Sequence, residues 1–228
     1  ESVRQTNELL KQEQVVIYEA AVRFENLFVR VDVLRKDQNR IELVEVKAKS
    51  FDSDSPQAFV NKNGSIAAAW RPYLYDVAFQ KHVVQSAFPQ YDVFAYLMMA
   101  DKNSLCLTDG LNQKFKVVKD QSGRKRVAVS QTLSAVDLSP PVLRRINVDA
   151  YCDLIYNCEF SPATNSFGDF AKYLADCCLR GEKISSSPSS TCGSCEFKAT
   201  GSEIAAGLKS GFHECWKDSL GWSDDDFA

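Results

Sequence analysis

The sequence predicts an α/β fold: a mixed central sheet flanked by helices, followed by a small cysteine-containing C-terminal module. Three observations lead there. The first fifty residues hold three β-branched segments separated by short polar turns. A helix-periodic stretch and a further apolar strand follow them. The run "SSSPSS", Ser185 to Ser190, then reads as a linker ahead of a cysteine-bearing tail. The expected organisation is a core over residues 1–184 and a module over residues 185–228.

Taken in order, residues 6–12 are weakly helical, and Val15–Val22 reads as a strand. "LFVRVDVL", Leu27 to Leu34, alternates as a second strand. "RKDQNR" is a polar turn and "IELVEVKAK", Ile41 to Lys49, a third strand. Residues 72–88 predict a helix with Pro72 in its first turn and an apolar stripe through Tyr73, Val77, Val84 and Phe88. "VFAYLMMA", Val93 to Ala100, is apolar on both faces, as a buried strand would be. "FKVVKDQSGRKRVAVS" reads as a hairpin turning near Ser122-Gly123, whose "GRKR" could touch phosphate as readily as it could be a solvated loop. Residues 141–157 and 167–180 predict two further helices.

Composition bounds the function. With 45% hydrophobic and 25% charged residues, the chain is neither disordered nor membrane-like. No apolar run is long enough to suggest a membrane span, and no secretory pattern opens the chain. A cytoplasmic setting is expected, in which the eight cysteines are thiols or metal ligands rather than disulfides. The first methionine is Met98, so the chain is expected to be a piece of a longer one. A net charge of −3 does not advertise nucleic-acid binding, which would need a local basic patch or bound cations.

The third strand raises the chemical question, because Glu45 and Lys47 share a face with Leu43 while Val44 and Val46 take the other. If the turn residues are Gln38-Asn39, cross-strand partners have numbers summing to 77. Val33 then faces Val44, Asp32 faces Glu45, Val31 faces Val46 and Arg30 faces Lys47. Directly opposed side chains have Cβ atoms about 5 Å apart, so this register sets two carboxylates side by side, with Lys47 further along the same face. Adjacent carboxylates repel unless a positive charge sits between them. A hard divalent cation, Mg²⁺ or Mn²⁺, suits them, and Lys47 could orient water or offset phosphate charge. Glu19 on the preceding strand could add a ligand. Gln80, on the apolar stripe of the helix, needs polar partners that such a site would supply. An exposed salt-bridged ladder would carry the same residues. The valines on the opposite face argue against it, because they suggest a strand covered on both sides. His82 reads as a helix-surface residue.

"VRVDVL", "ELVEVKAKS" and "DVAFQKHV" together resemble the PD-(D/E)XK nuclease superfamily in its RecB-like branch. The resemblance spans roughly residues 15–99 and implies a restriction-endonuclease-like core. It maps an upstream Glu, an Asp, an E-x-K pair and a helix Gln onto Glu19, Asp32, Glu45, Lys47 and Gln80. Val84 stands where the branch often has tyrosine. The implied reaction is metal-dependent phosphodiester hydrolysis, in DNA, with Mg²⁺ or Mn²⁺ on Asp32, Glu45, the Val46 carbonyl and Glu19.

The tail is similar to that of CRISPR-associated iron–sulfur nucleases. The whole chain resembles uncharacterised bacterial proteins with this core and a "C-x-x-C-x-F" tail ending near "GF-x-E-C-W". That likeness implies a [4Fe–4S] cluster on Cys192, Cys195 and Cys215, with a fourth cysteine from upstream or, as a substitute, Cys178. The spacing alone also suits Zn²⁺ on the same three cysteines with His213. Buried unliganded thiols are a third reading. The rival to a nuclease is a catalytically silent module of the same fold that binds nucleic acid or scaffolds a larger complex. A nuclease domain working only within a longer polypeptide is a further expectation.

Overall fold

The computed structural model describes residues 1–227 except 56–58, 122, 124, 159 and 161–165. Two compact units emerge, Glu1–Tyr173 and Leu174–Ala228. Their boundary lies ahead of the residue-184 boundary expected from the serine linker. Among the described residues, no helix is long and apolar enough to cross a membrane.

The first unit is α/β. Helix α1 (Ser2–Leu9) is followed by β1 (Gln14–Phe24), β2 (Leu27–Asp37), β3 (Arg40–Phe51), α2 (Arg71–Ala87) and β4 (Asp92–Asp101). After β4 come β5 (Phe115–Lys119), β6 (Lys125–Val129), β7 (Leu143–Asn147), α3 (Asp149–Tyr156) and α4 (Phe167–Arg180). The strands form a mixed five-stranded sheet ordered β1-β2-β3-β4-β7, flanked by helices, and β5 and β6 form a separate two-stranded sheet. β3 and β4 are parallel and the other neighbours antiparallel. A parallel pair cannot be closed by a tight turn and needs a crossover, which α2 supplies.

The β2–β3 hairpin has the register that the sequence predicts, Val33 opposite Val44 and Asp37 opposite Arg40. The residue that takes the left-handed conformation in its turn is Gln38, with φ of 52°, rather than Asn39. Helix α2 packs across β1 to β4 through Leu74, Val77, Ala78, Val83 and Val84, all fully buried. Burying each Leu or Val of this set is worth about 1.5–3 kcal/mol relative to leaving it in water. Tyr73 and Phe88, expected on the same stripe, are only half-buried. Helix α1 is tied to the sheet where the Thr6 hydroxyl accepts the Ala21 amide at 3.0 Å.

Two expectations are corrected. Residues 141–157 are not one helix, because Leu143–Asn147 pairs with the free edge of β4 before α3 begins. β4 is not covered on both faces: Val93, Ala95, Leu97 and Met99 are buried, whereas Phe94, Tyr96 and Met98 are half-buried. On that open face Arg40 lies 3.7 Å over the Phe94 ring and Arg145 4.5 Å over Tyr96. Both arginines pair with buried Glu42. Burial alone would raise the Glu42 carboxyl, but hydrogen bonds from Arg145 and Arg40 hold it below the usual range.

The second unit runs from the end of α4 through a short turn at Ser190–Ser194, α5 (Gly201–Ala205) and α6 (Gly211–Leu220). Thr200 and Glu203 form a capping box at α5, and Ser210 caps α6.

Candidate active site and cysteine pocket

The site begins where the sheet comes apart. The β2–β3 ladder ends at Val33 and Val44, so the expected pairings of Asp32 with Glu45, Val31 with Val46 and Arg30 with Lys47 do not form. The β1–β2 ladder skips one step, between Tyr18–Val33 and Ala20–Val31, at the level of Glu19 and Asp32. Glu19 there has φ of 54°, a left-handed conformation that costs a non-glycine residue on the order of 1 kcal/mol. β3 is irregular on its other side too, its register with β4 shifting between Val46 and Ser50.

Asp32 fills the gap. Its Oδ2 accepts the Val46 amide at 2.8 Å, in place of the missing ladder partner. Glu45, one residue earlier, is buried on the face that α2 covers. Its Oε1 accepts Lys47 Nζ at 2.7 Å and its Oε2 accepts Gln80 Nε2 at 2.9 Å. Asp76, one turn before Gln80 on α2, accepts Lys47 Nζ at 2.6 Å and Gln80 Nε2 at 3.1 Å. Asp32, Glu45, Lys47, Asp76 and Gln80 thus gather on one side of the fork. Sequence reasoning missed Asp76, although its i, i+4 spacing to Gln80 places both on one helix face.

The electrostatics follow. Burial raises the Glu45 carboxyl, hydrogen bonds from Lys47 and Gln80 oppose this, and the nearby charge of Asp32 adds to the rise. Burial would lower Lys47, but hydrogen bonds to Asp76 and Glu45 hold its ammonium above the ordinary lysine value. Gln80 is buried, and both donors of its amide face carboxylates. Its Oε1 has no hydrogen-bond partner among the described residues. A buried acceptor left unmet costs about 1–3 kcal/mol, a cost that a donor or a cation beside this oxygen would relieve.

The other expected residues lie differently. Glu19 turns to Arg30 in an exposed ion pair at 2.7 Å. Val46 is exposed, so the valine face of β3 is covered at Val44 and open at Val46. Further along β3, Lys49 donates to the Ala69 carbonyl at 2.7 Å and lies over the rings of Trp70 and Tyr73. His82 is half-buried rather than on the surface, edge-on to Phe167 and against Gly168, where a methyl group would lie 2.7 Å from its Cε1. Burial lowers its pKa, which suits a packing residue. Among the described residues no three Cys, His, Asp or Glu side chains already stand as a ligand group. Asp32 and Glu45 supply carboxylate oxygens of the kind a hard, oxygen-seeking cation takes, and the charge of Asp32 lies near enough to Glu45 to raise its carboxyl.

In the second unit Cys192, Cys195 and Cys215 line one cavity of about 400 Å³, with Phe197, Phe212 and Trp216. Ser189 donates its amide to Cys192 Sγ at 3.2 Å. His213 lines a different cavity, with its ring 4.3 Å from that of Phe227. Two residues apart on α6, His213 and Cys215 point roughly 200° apart around the helix. Cys178 is exposed on α4 and is not among the residues lining the cysteine cavity.

Comparison with family models, curated proteins and solved structures finds no match to this chain.

Proposed function

We propose that this protein is a metal-dependent phosphodiester hydrolase, a nuclease of the PD-(D/E)XK type acting on DNA. The observation that carries the reading is the convergence of Asp32, Glu45, Lys47 and Gln80 where β2 parts from β3. Asp32 and Glu45 would hold Mg²⁺ or Mn²⁺ beside the Val46 carbonyl. Such a cation, when bound, supplies positive charge to the phosphate and lowers the pKa of water. The protein's own groups do the rest. Lys47 presents a charged donor where the attacking water and a phosphate oxygen would meet. Gln80 fixes one Glu45 oxygen, and Asp76 fixes Lys47. Water adds to phosphorus as one P–O ester bond breaks, leaving a phosphate monoester and a hydroxyl. Glu19, paired with Arg30, has no role in this arrangement.

The cavity lined by Cys192, Cys195 and Cys215 supports a thiolate-bound cofactor. A [4Fe–4S] cluster with a fourth ligand from elsewhere fits it better than Zn²⁺ with His213, because His213 lines the other cavity.

The test is cleavage of labelled DNA with Mn²⁺ or Mg²⁺ by the wild type and by Asp32→Ala and Glu45→Ala. Cleavage abolished in both variants supports the reading. A wild type that cleaves with neither ion favours the silent module that binds nucleic acid or scaffolds a larger complex.

A further inference from the structure

We infer that the β5–β6 ribbon is a nucleic-acid arm that lies in a groove of duplex DNA and holds it at the sheet end bearing the candidate site. The inference takes its choice of partner from the nuclease reading and adds how that partner is held.

The ribbon has no packing role in the sheet. Every residue of Phe115–Lys119 and Lys125–Val129 is exposed, and among the described residues the two strands pair only with each other. Such a pair is marginal by itself in water. Its composition is one-sided: the ten strand residues carry four cations (Lys116, Lys119, Lys125 and Arg126) and no acid. The whole chain has a net charge of −3. Arg126 is paired with Asp120. Lys116, Lys119 and Lys125 have no salt-bridge partner among the described residues. Arg124, the remaining cation of "GRKR", lies outside the described residues.

The register sharpens this. Lys119 stands directly opposite Lys125 at the tip. Like charges directly opposed destabilise a strand pair, and a bound anion between them removes the repulsion. On the same face, Val117 lies opposite Val127 and Phe115 opposite Val129. A basic tip above an apolar stem matches phosphates flanking a groove lined by base edges and thymine methyls. A major groove about 12 Å wide admits a two-stranded ribbon.

The stem directs the arm. β3 and β4 are parallel, with Phe51 level with Asp101, so the insertion leaves β4 at the end of the sheet toward which β3 carries Glu45 and Lys47. Lys102 donates its amide to the Phe51 carbonyl at 2.8 Å, and Asn103 donates to Asp52 at 2.8 Å. Below the ribbon, Lys114 pairs with Asp137 at 2.9 Å.

The test is fluorescence anisotropy of a labelled DNA duplex titrated with the full chain in Ca²⁺ over a series of salt concentrations. The variants are Lys119→Glu/Lys125→Glu and, as a charge-reversal control at an exposed lysine outside both the ribbon and the candidate site, Lys62→Glu, with far-UV circular dichroism confirming the fold. The expected result is binding by wild type and by Lys62→Glu, with at least tenfold weaker binding by the double variant. Its salt slope should fall by about 0.9 for each phosphate that the ribbon no longer neutralises. Equal binding by the double variant, or no duplex binding by wild type, overturns the arm. So does a dimer that Val117→Glu dissociates while the double variant binds DNA normally, since the ribbon is then a self-association surface. The nuclease reading fails separately: ribbon-dependent binding without Mn²⁺-dependent cleavage removes it and leaves the arm.

Discussion

Gln80 sets its amide nitrogen 2.9 Å from Oε2 of Glu45, and this hydrogen bond, with that of Lys47 to Asp76, joins helix α2 to the fork in the sheet. The same side chain leaves its own buried oxygen unmet. A glutamine held this way orients the carboxylate and opposes the rise that burial imposes on it, because a hydrogen bond to the charged form favours that form.

Replacing Gln80 with leucine should therefore move Glu45 further from its ordinary value. Its carboxyl is already raised by burial, with Gln80 among the groups opposing the rise. In Gln80→Leu the acid limb of the cleavage pH profile should shift to higher pH. A limb unchanged from wild type would mean that Glu45 does not control activity.

Asp76→Asn should act on the other limb. Asp76 helps hold Lys47 above its ordinary value, so losing it lowers the Lys47 pKa. If the alkaline limb reports Lys47, it should move to lower pH, with cleavage down about a hundredfold, the lower end of what positioning a proton-transferring group contributes. An unchanged alkaline limb would dissociate Lys47 from the reaction.

Stability should respond to pH with a defined sign. Glu45 has a raised folded-state pKa, so its contribution is fully present below the unfolded glutamate value near 4.3 and is lost as pH rises through the folded value. Lys47 is also raised, so its contribution holds below the unfolded lysine value near 10.4 and is lost above that, as pH passes the folded value. Glu45→Gln removes the first dependence. Urea unfolding should show it at least as stable as wild type at neutral pH, with a flatter profile between acid and neutral pH. A variant markedly less stable at pH 7 would mean that the ionised carboxylate stabilises the fold.

The cysteine cavity makes a spectroscopic prediction. Protein purified without oxygen should absorb in the visible and bleach with dithionite. Cys192→Ser and Cys215→Ser should remove that absorption, while His213→Ala should leave it intact. A colourless protein holding one zinc that His213→Ala releases would reverse the assignment.

The hairpin was legible because its register depends on local rules. Gln38-Asn39 is a turn, side chains alternate, and the pairing from Asp37–Arg40 to Val33–Val44 follows from the count, one step short of Asp32 and Glu45. The sequence does not announce where a ladder stops. Asp32 meets the Val46 amide because β2 parts from β3 after Val33, a consequence of sheet geometry. Glu19 shares the level of Asp32, yet its left-handed backbone accompanies a side chain paired with Arg30. Leu143–Asn147 became a strand because β4 offered an open edge and Glu42 a partner for Arg145, both remote in sequence. Asp76 was within reach of helix spacing alone.

The most direct test of the central claim is Mn²⁺-dependent cleavage of labelled DNA by wild type and by Lys47→Ala, at equal fold content by circular dichroism. Lys47 bridges Glu45 and Asp76 at 2.7 and 2.6 Å, and its loss should remove charge stabilisation worth a factor of about 10² or more in rate. The account predicts metal-dependent cleavage by wild type and at least a hundredfold loss in the variant. Equal cleavage by the two proteins, or none by wild type with any divalent cation, would contradict it.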